Sequence, residues 1–172
     1  EPLDNVVSVR LYAINIPTTW YTFDSHLGNS LFSLDGNTTD CSSIEHGNYT
    51  HETLISELSS NTDMTFSIHP QTNKIVIKND SEKDQSFLYY SKDGLIDNNN
   101  NRGGNYVDQN LGWHLGFRRI PDDSNQIKID ISKNDTITGD VPINVNGPKS
   151  MILALDDFNQ HQHVRGFINV TD

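Results

Sequence analysis

The sequence predicts an all-β, two-sheet sandwich with one short helix, on three observations. Asparagine and aspartate are abundant, with 20 Asn and 18 Asp against 5 Glu in 172 residues. Such side chains bond to their own backbone and tolerate left-handed conformations, so they supply turns and weaken helix interiors. Several brief apolar stretches alternate with polar residues at period two, whereas only one stretch shows helical spacing. The length suits a single domain of ordinary size, 1–172, with no internal boundary or tandem repeat.

The elements follow in order. Val6 to Pro17 is β-rich, with Val7, Val9 and Leu11 on one face, and Pro17 ends it or places it at an edge. Trp20 to Phe23 reads as a short aromatic strand, followed by a turn at Leu27-Gly28-Asn29, a strand at Leu31 to Leu34, and a turn at Asp35-Gly36-Asn37. Ile44 to Tyr49 reads as a brief strand plus turn. The helix spans His51 to Ser59, capped by Thr50 or Asn48, with Leu54, Ile55 and Leu58 forming a narrow apolar stripe. At under three turns it depends on packing against a sheet.

A hairpin follows, Met64 to His69 and Lys74 to Lys78 around a Pro70–Asn73 turn, with Phe66, Ile68, Ile75 and Ile77 alternating with polar neighbours. Phe87 to Tyr90 is a further strand, and Leu95 to Gln109, with four consecutive asparagines, reads as a low-complexity loop. Strands are then predicted at Ile127–Ile131, Thr136–Thr138, Val141–Val145, Ser150–Phe158 and Val164–Val170.

Twelve Lys+Arg against 23 Asp+Glu leave a net charge of −11, which argues against a nucleic-acid partner, because an acidic surface repels phosphates. The closest basic run, Arg118-Arg119, is followed at once by Asp122-Asp123. The longest apolar run, Met151 to Leu155, is five residues, far short of the roughly 18 of a membrane span. No basic segment followed by an apolar stretch reads as a signal peptide. One cysteine, Cys41, excludes an internal disulfide framework and a Cys-based zinc finger.

Chemistry-bearing motifs are sparse. His161 and His163, two apart and near Asp157, have the ingredients of a metal shell. A polar loop between the last strands explains them as well and is preferred, since no third histidine stands at ligand spacing. Loops at Asp93–Asp97 and Asp130–Asp135 lack EF-hand spacing. Leu111-Gly112-Trp113-His114-Leu115-Gly116-Phe117 lacks the Lys-Ser/Thr of a phosphate cradle, so its glycines mark close approach of backbone and rings, or a β-bulge. No nucleophile–base pair can be named, Cys41 lying in a polar loop without a local base, so neither enzyme activity nor a cofactor is expected. Five Asn-x-Ser/Thr sequons, at Asn37, Asn48, Asn79, Asn134 and Asn169, carry no weight in so Asn-rich a chain. Trp20 and Tyr21 admit two readings, an exposed platform for a sugar or partner and a plug at one end of the core, of which the plug is preferred.

Asn5 to Tyr21, with its Arg10-Leu11, Ile16-Pro17 and Trp20-Tyr21, resembles the opening of jelly-roll virion proteins of large and giant double-stranded DNA viruses. Three more blocks match in order: Gly47-Asn48-Tyr49-Thr50 leading into the helix, Leu111 to Phe117, and Leu153 to Asn159. Similar patterns recur in penton-like proteins of virophages. The resemblance covers nearly the whole chain and implies a jelly-roll-type sandwich serving as a capsid component, located in the virion, whose partners are other subunits in a homo-oligomer. It also implies that this chain is part of a longer polypeptide with an earlier strand, whose lack leaves a sheet edge open unless another chain covers it. Trp20, Tyr21 and Tyr106 are the interface candidates. The alternative is a surface spike or a module binding a host glycan or receptor through its Asn-rich loops, distinguishable by glycan binding that disappears when loop aromatics such as Tyr106 are replaced.

Overall fold

A computed structural model of the chain describes residues 19–147 in full and, for the backbone alone, 150–154 and 165–169. The predicted strand at Val6–Pro17, the residues Asp157, His161 and His163, and the ends of the last two predicted strands lie outside the described residues.

Among the described residues strand predominates over helix, in curled sheets that make an all-β sandwich. A 3-10 turn at Ser25–Leu27 precedes β1 (Leu31–Phe32) and β2 (Thr39–Ser43). The helix α1 (His51–Ser60) leads into the hairpin β3 (Met64–Ile68) and β4 (Ile75–Asn79). Then come β5 (Gln85–Ser91), β6 (Leu95–Asp97), β7 (Arg102–Gly103), the helical turn α2 (Leu111–His114), β8 (Gln126–Ile131) and β9 (Thr136–Thr138). The strands β10 (Ser150–Ala154) and β11 (Arg165–Asn169) pair antiparallel with each other. The other hydrogen-bonded orders are β1-β2-β6-β7, β3-β4-β9 and β5-β8.

Helix α1 begins where the sequence places it. Thr50 caps it through a reciprocal pair: the Thr53 N–H donates to the Thr50 hydroxyl, and the Thr50 N–H donates to the Thr53 hydroxyl. Leu54 and Leu58 are fully buried, and Ile55 packs partly against the same core. The β3–β4 hairpin has the expected register, Phe66 opposite Ile77 and Ile68 opposite Ile75, with Asn73 left-handed in the turn at φ 53°.

Strand β5 is the centre of the molecule. On one side it pairs antiparallel with β8, and on the other single bridges join Leu88 to Ser33 and Ser86 to Asp35. Phe87 and Tyr89 enter the large core with Phe23, Phe32, Leu54, Ile77 and Phe117, while Leu88 enters a smaller cluster with Leu31, Cys41 and Leu95. Burial on both faces explains why this strand reads as a nearly continuous apolar run. Leu88 pairs with Lys128 and Tyr90 with Ile127, so Tyr89 is an extra residue in the ladder, a bulge.

Several expectations need correction. Leu95–Gln109 is not a structureless loop. It contains β6 and β7, joined by a turn in which the Asp97 carboxylate accepts from the Asn99 N–H (2.9 Å), the Asn101 N–H (2.8 Å) and the Asn101 carboxamide (2.9 Å). Thr39–Ser43, polar in sequence and read as a loop, is a strand, antiparallel to β1 and parallel to β6 with Cys41 buried beneath it. A register shift between Thr39 and Cys41, with Asp40 at φ 66°, breaks the alternation that would have revealed it.

Val141–Val145 forms no ladder: Pro142 offers no N–H, and the segment is tied by the Ile143 N–H to Asn73 and the Asn144 N–H to His114. Neither Trp20–Phe23 nor Ile44–Tyr49 becomes a strand, and the backbone pairing between them is limited to the Phe23–Gly47 bridge. Leu111–His114 is a helical turn, not a β-bulge; the close approach expected of its glycines is present, since Gly112 lies against the Tyr89 ring. Among the described residues no helix is long and apolar enough to cross a membrane.

Candidate functional site

Asn110 caps α2, its carboxamide oxygen accepting from the Trp113 N–H at 2.9 Å while its nitrogen donates to the carbonyls of Tyr106 (2.8 Å) and Val107 (2.9 Å). This buried side chain therefore fixes the loop that carries Tyr106 to the start of the turn. The turn buries Leu111 and Gly112 and leaves Trp113 and His114 half-buried on its outer side. Gly116, at φ 96°, then reverses the chain, which a side chain would oppose both by conformation and by collision with the Val141 carbonyl.

A second buried carboxamide, Asn29, organises the facing segment. Its oxygen accepts from the Asp24 N–H (2.9 Å), and its nitrogen donates to the Thr22 carbonyl (2.7 Å) and lies 3.4 Å from His114 Nε2. His114 Nδ1 lies 3.2 Å from the Asn144 carbonyl oxygen, which can only accept, so Nδ1 carries the hydrogen and Nε2 accepts. Burial holds the imidazole below its ordinary pKa, partly opposed by the bond to Asn144. His114 is thus a neutral, bonded wall residue.

Between segment 22–29 and α2 lies a cavity of about 360 Å³. Trp113, His114 and Leu27 line it together with Asn29, Asn144 and the exposed side chains of Asp108 and Gln109. The Arg118 guanidinium sits 3.7 Å over the Trp113 ring and donates to the Trp113 carbonyl at 2.7 Å, which fixes the indole. Arg119 pairs with Asp140 at 3.4 Å, so Arg118-Arg119 is no free basic patch.

The candidate interface residues stand close to this cavity along the chain. Trp20 is 45 % exposed, Tyr21 50 % and Tyr106 59 %, so Trp20 and Tyr21 do not plug the core. Phe23 fills that place, with Tyr49 at 5.6 Å and His114 at 5.1 Å between ring centroids. The Asn48 carboxamide ties down the backbone that carries the two exposed rings, accepting from the Thr22 N–H at 2.8 Å and donating to the Trp20 carbonyl at 3.5 Å.

The remaining candidates have structural roles. Cys41 is buried and its thiol is pushed up by that burial, the opposite of an activated nucleophile. The Asp122 carboxylate accepts from the N–H groups of Ser124 and Gln126, a turn role. Among the described residues no three His, Cys, Asp or Glu side chains cluster as metal ligands. Sequence reasoning took Leu111–Phe117 as packing alone and missed the cavity beside it; Asn110 three residues before Trp113 is the capping signal that places the indole on a helical turn.

No family model, curated protein or solved structure matches this chain.

Proposed function

We propose that this chain is a structural subunit of a virus particle, a penton-like capsid component of jelly-roll type that acts by burying surface against copies of itself. The observation that carries the reading is the pair of adjacent half-exposed aromatic rings, Trp20 and Tyr21, on a backbone segment that Asn48 ties down. Tryptophan and tyrosine are enriched among the few residues that carry most of the energy of protein interfaces. Leu27 and Tyr106 are also exposed, and Ile120 is almost fully exposed beside β8. The ordered sequence blocks support the same reading, and one of them, Gly47-Asn48-Tyr49-Thr50, supplies both a tie to the Trp20 backbone and the cap of α1. A function of this kind requires no catalytic group.

With a net charge of −11, copies repel one another at low ionic strength, and salt screens that repulsion. Self-association should therefore strengthen as salt is raised. Sedimentation velocity over a range of protein and salt concentrations is the test, with Trp20→Ala/Tyr21→Ala as the control that dissociates without a change in thermal stability. A chain that remains monomeric throughout, or a double variant that associates like wild type, refutes the reading.

A further inference from the structure

We propose that the cavity between segment 22–29 and α2 is a binding site for an uncharged sugar residue. Its volume of about 360 Å³ falls in the range of small-ligand sites, roughly 300–1,000 Å³. Its lining divides by chemistry. Trp113 and Leu27 provide apolar wall, while Asp108 and Gln109 bring an exposed carboxylate and carboxamide to the same space. Asn29 and His114 are engaged with backbone and with each other, so they shape the wall and leave recognition to Asp108 and Gln109.

This combination selects among ligand classes. A wholly apolar ligand would strip water from Asp108 and Gln109 without replacing it, a cost that binding cannot easily absorb. An anion would meet the Asp108 carboxylate in a chain of net charge −11. A metal ion finds one carboxylate and, among the described residues, no cluster to complete its shell. A sugar satisfies both halves: its C–H face lies on the indole, and neighbouring hydroxyls donate to the carboxylate, whose charge strengthens each bond. The indole is already held by Arg118, so little order remains to be imposed on binding.

The test uses the full chain on an array of neutral and sulfated glycans, followed by saturation-transfer NMR with methyl glycosides of the sugars that bind. Neutral glycans should bind. Asp108→Asn and Gln109→Ala, both at exposed positions, should keep the wild-type melting temperature while weakening binding about tenfold or more. An array without neutral binders, a preference for sulfated glycans, or binding unaltered by both substitutions overturns the proposal. Sugar binding and self-association are read in separate assays, so either proposal can fail while the other stands.

Discussion

Replacing Gly112 by alanine probes the packing that holds α2 against β5. In a helix this exchange ordinarily stabilises by about 1 kcal/mol, because glycine has more backbone freedom to lose. Here a methyl group would lie inside the Tyr89 ring, with Cε2 at 2.6 Å and two ring carbons nearer still. Tyr89 cannot readily swing away: it stacks on Phe117 at 5.9 Å with planes 21° apart, touches Phe87 at 5.6 Å, and is buried to 1 % exposure. Overpacking of this kind costs about 1–3 kcal/mol, and with the aromatic neighbours closing the escape the upper end applies. Against the propensity gain the net loss is about 2 kcal/mol, a fall of roughly 4–8 °C in melting temperature for a chain of this length. Thermal unfolding followed by near-ultraviolet circular dichroism measures it. Truncating the ring in Gly112→Ala/Tyr89→Leu should recover more than about 1 kcal/mol of coupling energy in a double-mutant cycle. A Gly112→Ala protein that melts at or above the wild-type temperature refutes the argument.

Further outcomes follow from two polar side chains, Asn79 and His114. Asn79 is fully buried, its nitrogen donating to the carbonyls of Lys83 and Ile131 (both 2.9 Å) and its oxygen accepting from the Ser81 N–H (3.0 Å) and hydroxyl (2.6 Å). Asn79→Ala should cost about 2–3 kcal/mol by stranding those partners, seen as a lower urea midpoint with an unchanged slope, and Asn79 should stay unglycosylated in folded protein expressed through a secretory pathway. His114 should remain neutral below the ordinary imidazole pKa, because burial penalises its charged form. The unfolded state then binds the proton more readily, so this group leaves stability intact above about pH 6.5 and removes up to about 1.4 kcal/mol per pH unit below it, until its folded-state pKa is reached. A ring titration by NMR with its midpoint at or above the ordinary value contradicts the assignment.

The parts of the fold legible in the sequence are those where side-chain periodicity and local hydrogen bonding agree. Phe66, Ile68, Ile75 and Ile77 alternate without interruption, and their hairpin pairs as expected. Thr50 and Thr53 encode the start of α1 in four consecutive residues. The polar strand β2 was hidden because its ladder shifts at Asp40 and only Cys41 turns inward. The hairpin of β6 and β7 was hidden because its four asparagines read as low complexity, although one carboxylate, Asp97, binds two of them, Asn99 and Asn101, into a turn. The cavity draws on residues 22–29, 108–114 and 144, and nothing local in any one of them announces the others. The backbone carrying Trp20 and Tyr21 is likewise tied down from a distance, by Asn48.

Strand β5 belongs to two apolar clusters at once, through Phe87 and Tyr89 on one side and Leu88 on the other. Neither cluster can come apart while its neighbour keeps that strand in place. The domain accordingly has no cheap partial melting route through its middle, and amide protons along β5 should be the last to exchange with solvent, released only when the whole molecule opens.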